Sequence, residues 1–204
     1  MTTLVAAAVL LAQRGYRVMP VDADKAPLLA RGFHDATSDV DAIGRWSWDG
    51  GVGLAIVIPD RTFVVDVDPR NGGDKTLEAV LLVSESETLS LRKELPPTRT
   101  VRTRSGGTHL YYALPDDRDL RGKLGPGVDI KKPGKGYVLV PPTQGYRYTR
   151  GGRPAPAPQW LLDELTVERP NALAALSHAA SLLAQIASRP SRWIASGVTH
   201  GASG

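Results

Sequence analysis

Apolar residues crowd the start of the chain. Leu4, Val5, Ala8, Leu11 and Ala12 recur at helical spacing, which predicts an amphipathic helix over residues 4–14, capped by Thr2 and Thr3 and stopped by Gly15. A short strand follows at 16–21, then a loop over 22–38, and Asp39 opens a short helix reaching Trp46. After an Asp49-Gly50-Gly51 turn the pattern changes to strands, 53–58 and 62–68, whose tight Pro59-Asp60-Arg61 connection predicts a hairpin. Residues 75–94 read as mainly helical and end at Pro96-Pro97. A second hairpin is expected from 100–104 and 108–113 around Ser105-Gly106-Gly107, then a loop over 116–126 and strands at 128–131, 137–140 and 146–148. Residues 151–158 look like a Pro/Gly-rich linker, 160–165 a short helix and 171–187 a strong Ala/Leu-rich helix. Strands dominate the middle of the chain in antiparallel pairs, so the expected class is α+β.

Composition narrows the function. With 204 residues the chain can bury a core without staples, and with no cysteine it has no disulfide framework, thiolate zinc site or thiol nucleophile. The opening apolar run is too short to span a membrane. Net charge is +4, with 18 Arg among the 25 basic residues. That permits a nucleic-acid partner without requiring one, since an ordinary basic protein has the same composition.

Three segments carry candidate chemistry. In Phe63-Val64-Val65-Asp66-Val67-Asp68, alternation puts Asp66 and Asp68 on one face, with Cα atoms about 7 Å apart, where their oxygens can converge on a hard cation. Solvated strand ends carry the same Asp-x-Asp pattern. In Arg104-Ser105-Gly106-Gly107-Thr108-His109, two glycines allow backbone N–H groups near a phosphate, and His109 opens the next strand; an ordinary hairpin turn is the other reading. In Val128-Asp129-Ile130-Lys131, an acid and a base share a face, as they also do on salt-bridged surface strands. Together these supply the inventory of two-metal nucleotidyl transfer: carboxylates for ions and cations for a triphosphate. Gly72-Gly73-Asp74-Lys75-Thr76 fails as a Walker A loop, and no H-E-x-x-H occurs, so an ATPase or zinc hydrolase is not expected.

Taken in order, these segments resemble the N-terminal domain of bifunctional DNA primase–polymerases, the prim-pol branch of the archaeo-eukaryotic primase superfamily. The likeness runs over about residues 4–165. It includes Lys25-Ala26-Pro27, Gly32-Phe33-His34-Asp35-Ala36-Thr37, Val65-Asp66-Val67-Asp68, Ser105-Gly106-Gly107-Thr108-His109, Gly127-Val128-Asp129-Ile130 and Val140-Pro141-Pro142-Thr143.

The resemblance implies an RRM-like antiparallel catalytic core paired with an N-terminal α/β subdomain, and a soluble, cytoplasmic enzyme of phage or plasmid replication. It implies a prim-pol domain over 1–165 and a helical extension over 166–204, the start of a region leading to a helicase beyond Gly204. It implies that Asp66, Asp68 and Asp129 are catalytic and hold two divalent ions, Mg²⁺ or Mn²⁺, with no zinc. His109, Ser105, Gly106 and Gly107 would bind the incoming nucleotide. Arg104 and Lys131 join them by charge and face, and Lys25 is a candidate phosphate or template contact. The expected activity is template-dependent addition of dNTPs or NTPs to a primer 3′-hydroxyl on single-stranded or primed DNA. A non-catalytic nucleotide or single-stranded DNA-binding module, a metal-dependent nuclease and an initiator scaffold are the alternatives.

Overall fold

The computed structural model describes residues 3–48, 53–84 and 90–167. They lie within one compact unit, Met1–Val167. The helix expected at 171–187 and the turn at 49–51 fall outside the described residues.

Helix α1 (Thr3–Ala12) buries Val5, Ala8 and Ala12, the inward stripe that its spacing predicts. Gly15, at a left-handed φ of 85°, ends it as expected. Strand β1 (Val18–Val21) follows, and then α2 (Val40–Arg45), whose cap Asp39 accepts hydrogen bonds from the N–H groups of Asp41 and Ala42. Next come β2 (Gly53–Val57) and β3 (Thr62–Val67), then α3 (Gly73–Leu81), β4 (Leu82–Ser84) and β5 (Ser90–Arg92). Strands β6 (Thr100–Arg102), β7 (Thr108–Ala113), β8 (Lys123–Gly125), β9 (Val128–Lys131), β10 (Tyr137–Val140), β11 (Arg147–Arg150) and β12 (Ala155–Pro156) precede the last helix, α4 (Gln159–Leu165).

The strands make two main sheets. A small antiparallel sheet runs β1-β2-β10, and a larger one runs β11-β6-β7-β3-β9-β8, with β12 adding to β7 in parallel where β6 stops. The class is α+β. The expected hairpin of β2 with β3 does not form: the Pro59-Asp60-Arg61 turn carries the chain from the small sheet to the centre of the large one. All five residues of β2 are buried, so both its faces are covered and its partners come from distant β1 and β10.

Three other expectations need revision. The helix predicted over 75–94 stops at Leu81, and the chain returns as the β4–β5 pair. The loop at 116–126 contains β8, and the linker at 151–158 contains β12.

Alternation along β3 sorts two cores. Phe63, Val65 and Val67 pack with Tyr112, Ile130 and the α4 leucines on one face. On the other face Val64 packs with Val101, Tyr111, α1 and the small sheet. Asp66 shares the Val64 face, where the strand's side chains turn from apolar to acidic as it leaves the core.

Candidate active site

The large sheet places the acidic residues in one transverse row. Asp66 of β3 stands directly opposite His109 of β7 and opposite Asp129 of β9; His109 faces Val101 of β6, and Asp129 faces Lys123 of β8. Residues opposite each other in antiparallel strands project from the same face. Three candidate side chains from three distant segments are thereby gathered at spacings of about 5 Å.

Two carboxylates directly opposite repel. Lys131, two residues beyond Asp129 on the same face, answers this: its Nζ lies 3.1 Å from Asp129 Oδ2 and 3.5 Å from Asp66 Oδ2. Lys123 Nζ is 3.9 Å from the other Asp129 oxygen.

Asp68 lies just past the end of β3, where it caps a 3₁₀ turn, Pro69–Asn71. Its carboxylate accepts from Arg70 Nη2 at 2.9 Å and from Asn71 Nδ2 at 2.9 Å. The bond from Arg70 is the main reason its pKa lies below the ordinary value. The backbone is pinned too: Asp68 N–H donates to Gly127 O at 2.8 Å, and Gly73 N–H donates to Asp68 O at 2.9 Å. Only glycines allow this crossing. A Cβ on Gly73 would lie 2.3 Å from Gly127 O, and one on Gly127 would lie 2.4 Å from Gly73 N.

His109 is buried, with its Nε2 3.4 Å from Asp66 Oδ1 and its Nδ1 without a hydrogen-bond partner among the described residues. Burial pushes its pKa down to about 4, against the raising influence of Asp66, so the ring is neutral at pH 7. It faces the acids as an imidazole, able to donate from one nitrogen, and not as a fixed positive charge.

A cleft of about 210 Å³ opens over the row, lined by Lys25, Asp66, Asp68, Ser105, His109 and Asp129 among the expected residues. Lys25 reaches it from the tip of a tight loop at a φ of 70°, with its carbonyl held by the Tyr137 hydroxyl. Five more lining residues escaped the sequence reading: Arg70, Asn71, Thr103, Lys123 and Tyr146. Arg70 and Asn71 directly follow the Asp-x-Asp pair and could have been found on that ground; Lys123 and Tyr146 enter only through pairing and packing.

The glycine turn departs from its expected role. Gly106 N–H donates to Thr103 O at 3.0 Å, and Gly107 N–H donates to Thr103 Oγ1 at 3.0 Å. Both groups are consumed within the turn. Gly107 is there because a Cβ would meet Val67 O at 2.5 Å. Ser105 Oγ lines the cleft and pairs with Thr103 Oγ1 at 3.1 Å. Arg104 lies beside the cleft, donating to Ala23 O, and its side chain packs where a Cβ on Gly145 would fall.

The donor set suits a hard divalent cation: three part-exposed carboxylates and no sulfur. Among the described residues, no three acidic or histidine side chains are gathered closely enough to hold an ion as they stand. Lys131 and Arg70 pair with the carboxylates instead. No helix among the described residues is long and apolar enough to cross a membrane.

The large antiparallel sheet thus carries paired acids under a cleft lined by Lys25, Arg70 and Lys123. The chain matches the family model described as bifunctional DNA primase/polymerase, N-terminal, over residues 8–160, and it belongs to that family. A comparison with curated proteins finds no match. Membership makes it a DNA primase/polymerase kind of enzyme, of a class that acts on DNA and nucleotides and generally uses divalent metals.

Proposed function

We propose that this chain is a template-dependent nucleotidyltransferase that joins nucleoside triphosphates to a primer 3′-hydroxyl in the replication of phage or plasmid DNA. The observation that supports it best is the cross-strand row of His109, Asp66 and Asp129, with Asp68 tethered by its backbone at the end of the same strand.

Asp66, Asp68 and Asp129 are the residues that would hold two ions, Mg²⁺ or Mn²⁺. When bound, such ions raise the nucleophilicity of the hydroxyl and neutralise the leaving pyrophosphate. The protein's own groups do the rest. Lys25, Arg70 and Lys123 at the cleft offset triphosphate charge, and Lys131 turns to a phosphate oxygen once its carboxylates are otherwise engaged. His109, neutral and held against the sheet, donates from Nε2 to a phosphate oxygen without carrying charge of its own. Ser105 adds a hydroxyl at the same wall.

The test is extension of a labelled primer on a DNA template with dNTPs or NTPs and Mg²⁺ or Mn²⁺, beside Asp66→Ala/Asp68→Ala. Nucleotide-dependent extension by the wild type alone supports the reading. Primer degradation without nucleotides would instead indicate a nuclease. Strand binding with no extension by either ion would indicate a binding module.

A further inference from the structure

A second cavity, of about 490 Å³, lies apart from the catalytic cleft and has a different chemistry. Its working residues are Arg14, Tyr16, Arg99, Tyr148, Gly152 and Arg153, and among the described residues no carboxylate lines it. Arg99 is its fixed piece. Its Nε donates to Gly152 O at 2.7 Å, its Nη1 donates to the Tyr16 hydroxyl, and its guanidinium carbon sits 5.8 Å from the Tyr16 ring centre.

Elsewhere Arg31, Arg61, Arg70, Arg118 and Arg121 each pair with an acid. Arg14, Arg99 and Arg153 pair with none among the described residues. Three uncompensated guanidiniums around one cavity repel one another unless an anion joins them. Tyr148, 44% exposed on β11, offers a ring beside them. A polyanion whose units each carry a flat ring matches both features: phosphates for the arginines, a base for the tyrosine.

The segment bearing Tyr148 also reaches the catalytic cleft. Tyr146, two residues earlier, lines that cleft with its ring centre 6.2 Å from His109. Tyr148 stands opposite Val101, which stands opposite His109, so a strand held at Tyr148 lies two strand spacings, about 10 Å, from His109 along the same sheet.

We propose that this cavity is a binding site for a single-stranded polynucleotide, with phosphates on Arg14 and Arg153 and a base stacked on Tyr148. It rests on the reading that primed nucleic acid is the substrate, and it assigns the single strand a seat distinct from the acidic row.

The experiment uses the full chain in EDTA without nucleotides, with fluorescein-labelled dT and U oligomers of equal length followed by anisotropy across a salt series. The wild type binds. Tyr148→Ala weakens binding about tenfold, and Tyr148→Phe, which keeps the ring, restores it. Arg14→Gln/Arg153→Gln lowers the slope of log K against log salt by about 1.4, the value for two phosphate contacts on a single strand. Tighter binding of dT marks a DNA strand as the occupant, and tighter binding of U an RNA strand; either supports the site. Thermal melting establishes that each variant is folded.

Folded Tyr148→Ala and double-arginine variants that bind like the wild type overturn the proposal. Displacement of the oligomer by free dTMP at equal nucleotide concentration overturns it too, since the site would then be for a mononucleotide. Primer extension by the same preparations separates the two readings. A wild type that binds through these residues but never extends refutes the polymerase reading and leaves this site standing. A wild type that extends while the variants bind normally does the opposite.

Discussion

His109 ties the site to stability in a way that pH exposes. Its pKa in the folded protein is about 4, held down by burial, against an ordinary value of 6.5. A depressed histidine binds its proton more readily when unfolded. Its contribution to stability is therefore fully present above pH 6.5, and it falls as the pH drops toward 4. At 1.36 kcal/mol per pH unit, the gap sets a ceiling of about 3 kcal/mol, of which about 2 kcal/mol is already gone at pH 5. That window lies above the range in which most carboxylates titrate. His109→Leu fills the same buried position without a titrating group. Urea unfolding of both proteins between pH 7.5 and 5, with EDTA present, should give the wild type a pH-dependent loss about 2 kcal/mol larger than the variant's. Parallel losses would refute the reasoning, as would an imidazole pKa near 6 by NMR, because either result means that the ring is solvated in the folded chain.

Three other perturbations probe how the site is held. Gly127→Ala forces a Cβ to within 2.6 Å of Asn71 O and Gly73 N at a φ of 69°, so it should cost more than the 1–2 kcal/mol of left-handed strain alone (about 3 kcal/mol in denaturant unfolding), whereas Gly122→Ala, in open space, should cost less than about 1 kcal/mol. Thr143→Val should cost about 1–3 kcal/mol in the same assay, because the buried Thr143 Oγ1 accepts from Leu54 N–H at 2.8 Å and donates to Leu54 O at 3.1 Å. Lys131→Met removes the ammonium between Asp66 and Asp129 and should tighten Mn²⁺ binding by about tenfold in calorimetry or EPR titration while lowering nucleotide affinity; weaker Mn²⁺ binding would show that the lysine orders the carboxylates instead of competing for them.

How much of this was legible in the sequence depends on the range of the interaction. The stop at Gly15, the cap at Asp39 and the alternation of β3 are local events, and all three were readable. The partner of β2 was not. A three-residue Pro-Asp-Arg connection fits a hairpin, but β2 is apolar on both faces and pairs with residues 32–38 positions before it and 80–86 after. The helix predicted through residue 94 failed for a mixed reason: apolar spacing continued, but Val83 and the serines around it are weak helix formers, and pairing of β4 with β5 won. In the glycine turn the sequence pointed to free backbone donors. Thr103 overrides that, since a threonine just before a turn can take the N–H groups for itself.

The acidic site shows why such details matter to the chemistry. Antiparallel register brings Asp66 opposite Asp129 with no connecting sequence signal, and the cost of placing two like charges together is met on the same strand, by Lys131. Asp68 has its own cation in Arg70, two residues away. Each carboxylate pair or singlet thus carries a flexible positive side chain that can leave without unfolding anything, while the backbone that sets the spacing is locked by the Gly73–Gly127 crossing. A site organised this way holds its carboxylates at fixed separations, each beside a cation. In the proposed reaction, the charges that move on loading are the lysine and the arginine, which lie at the ends of long side chains.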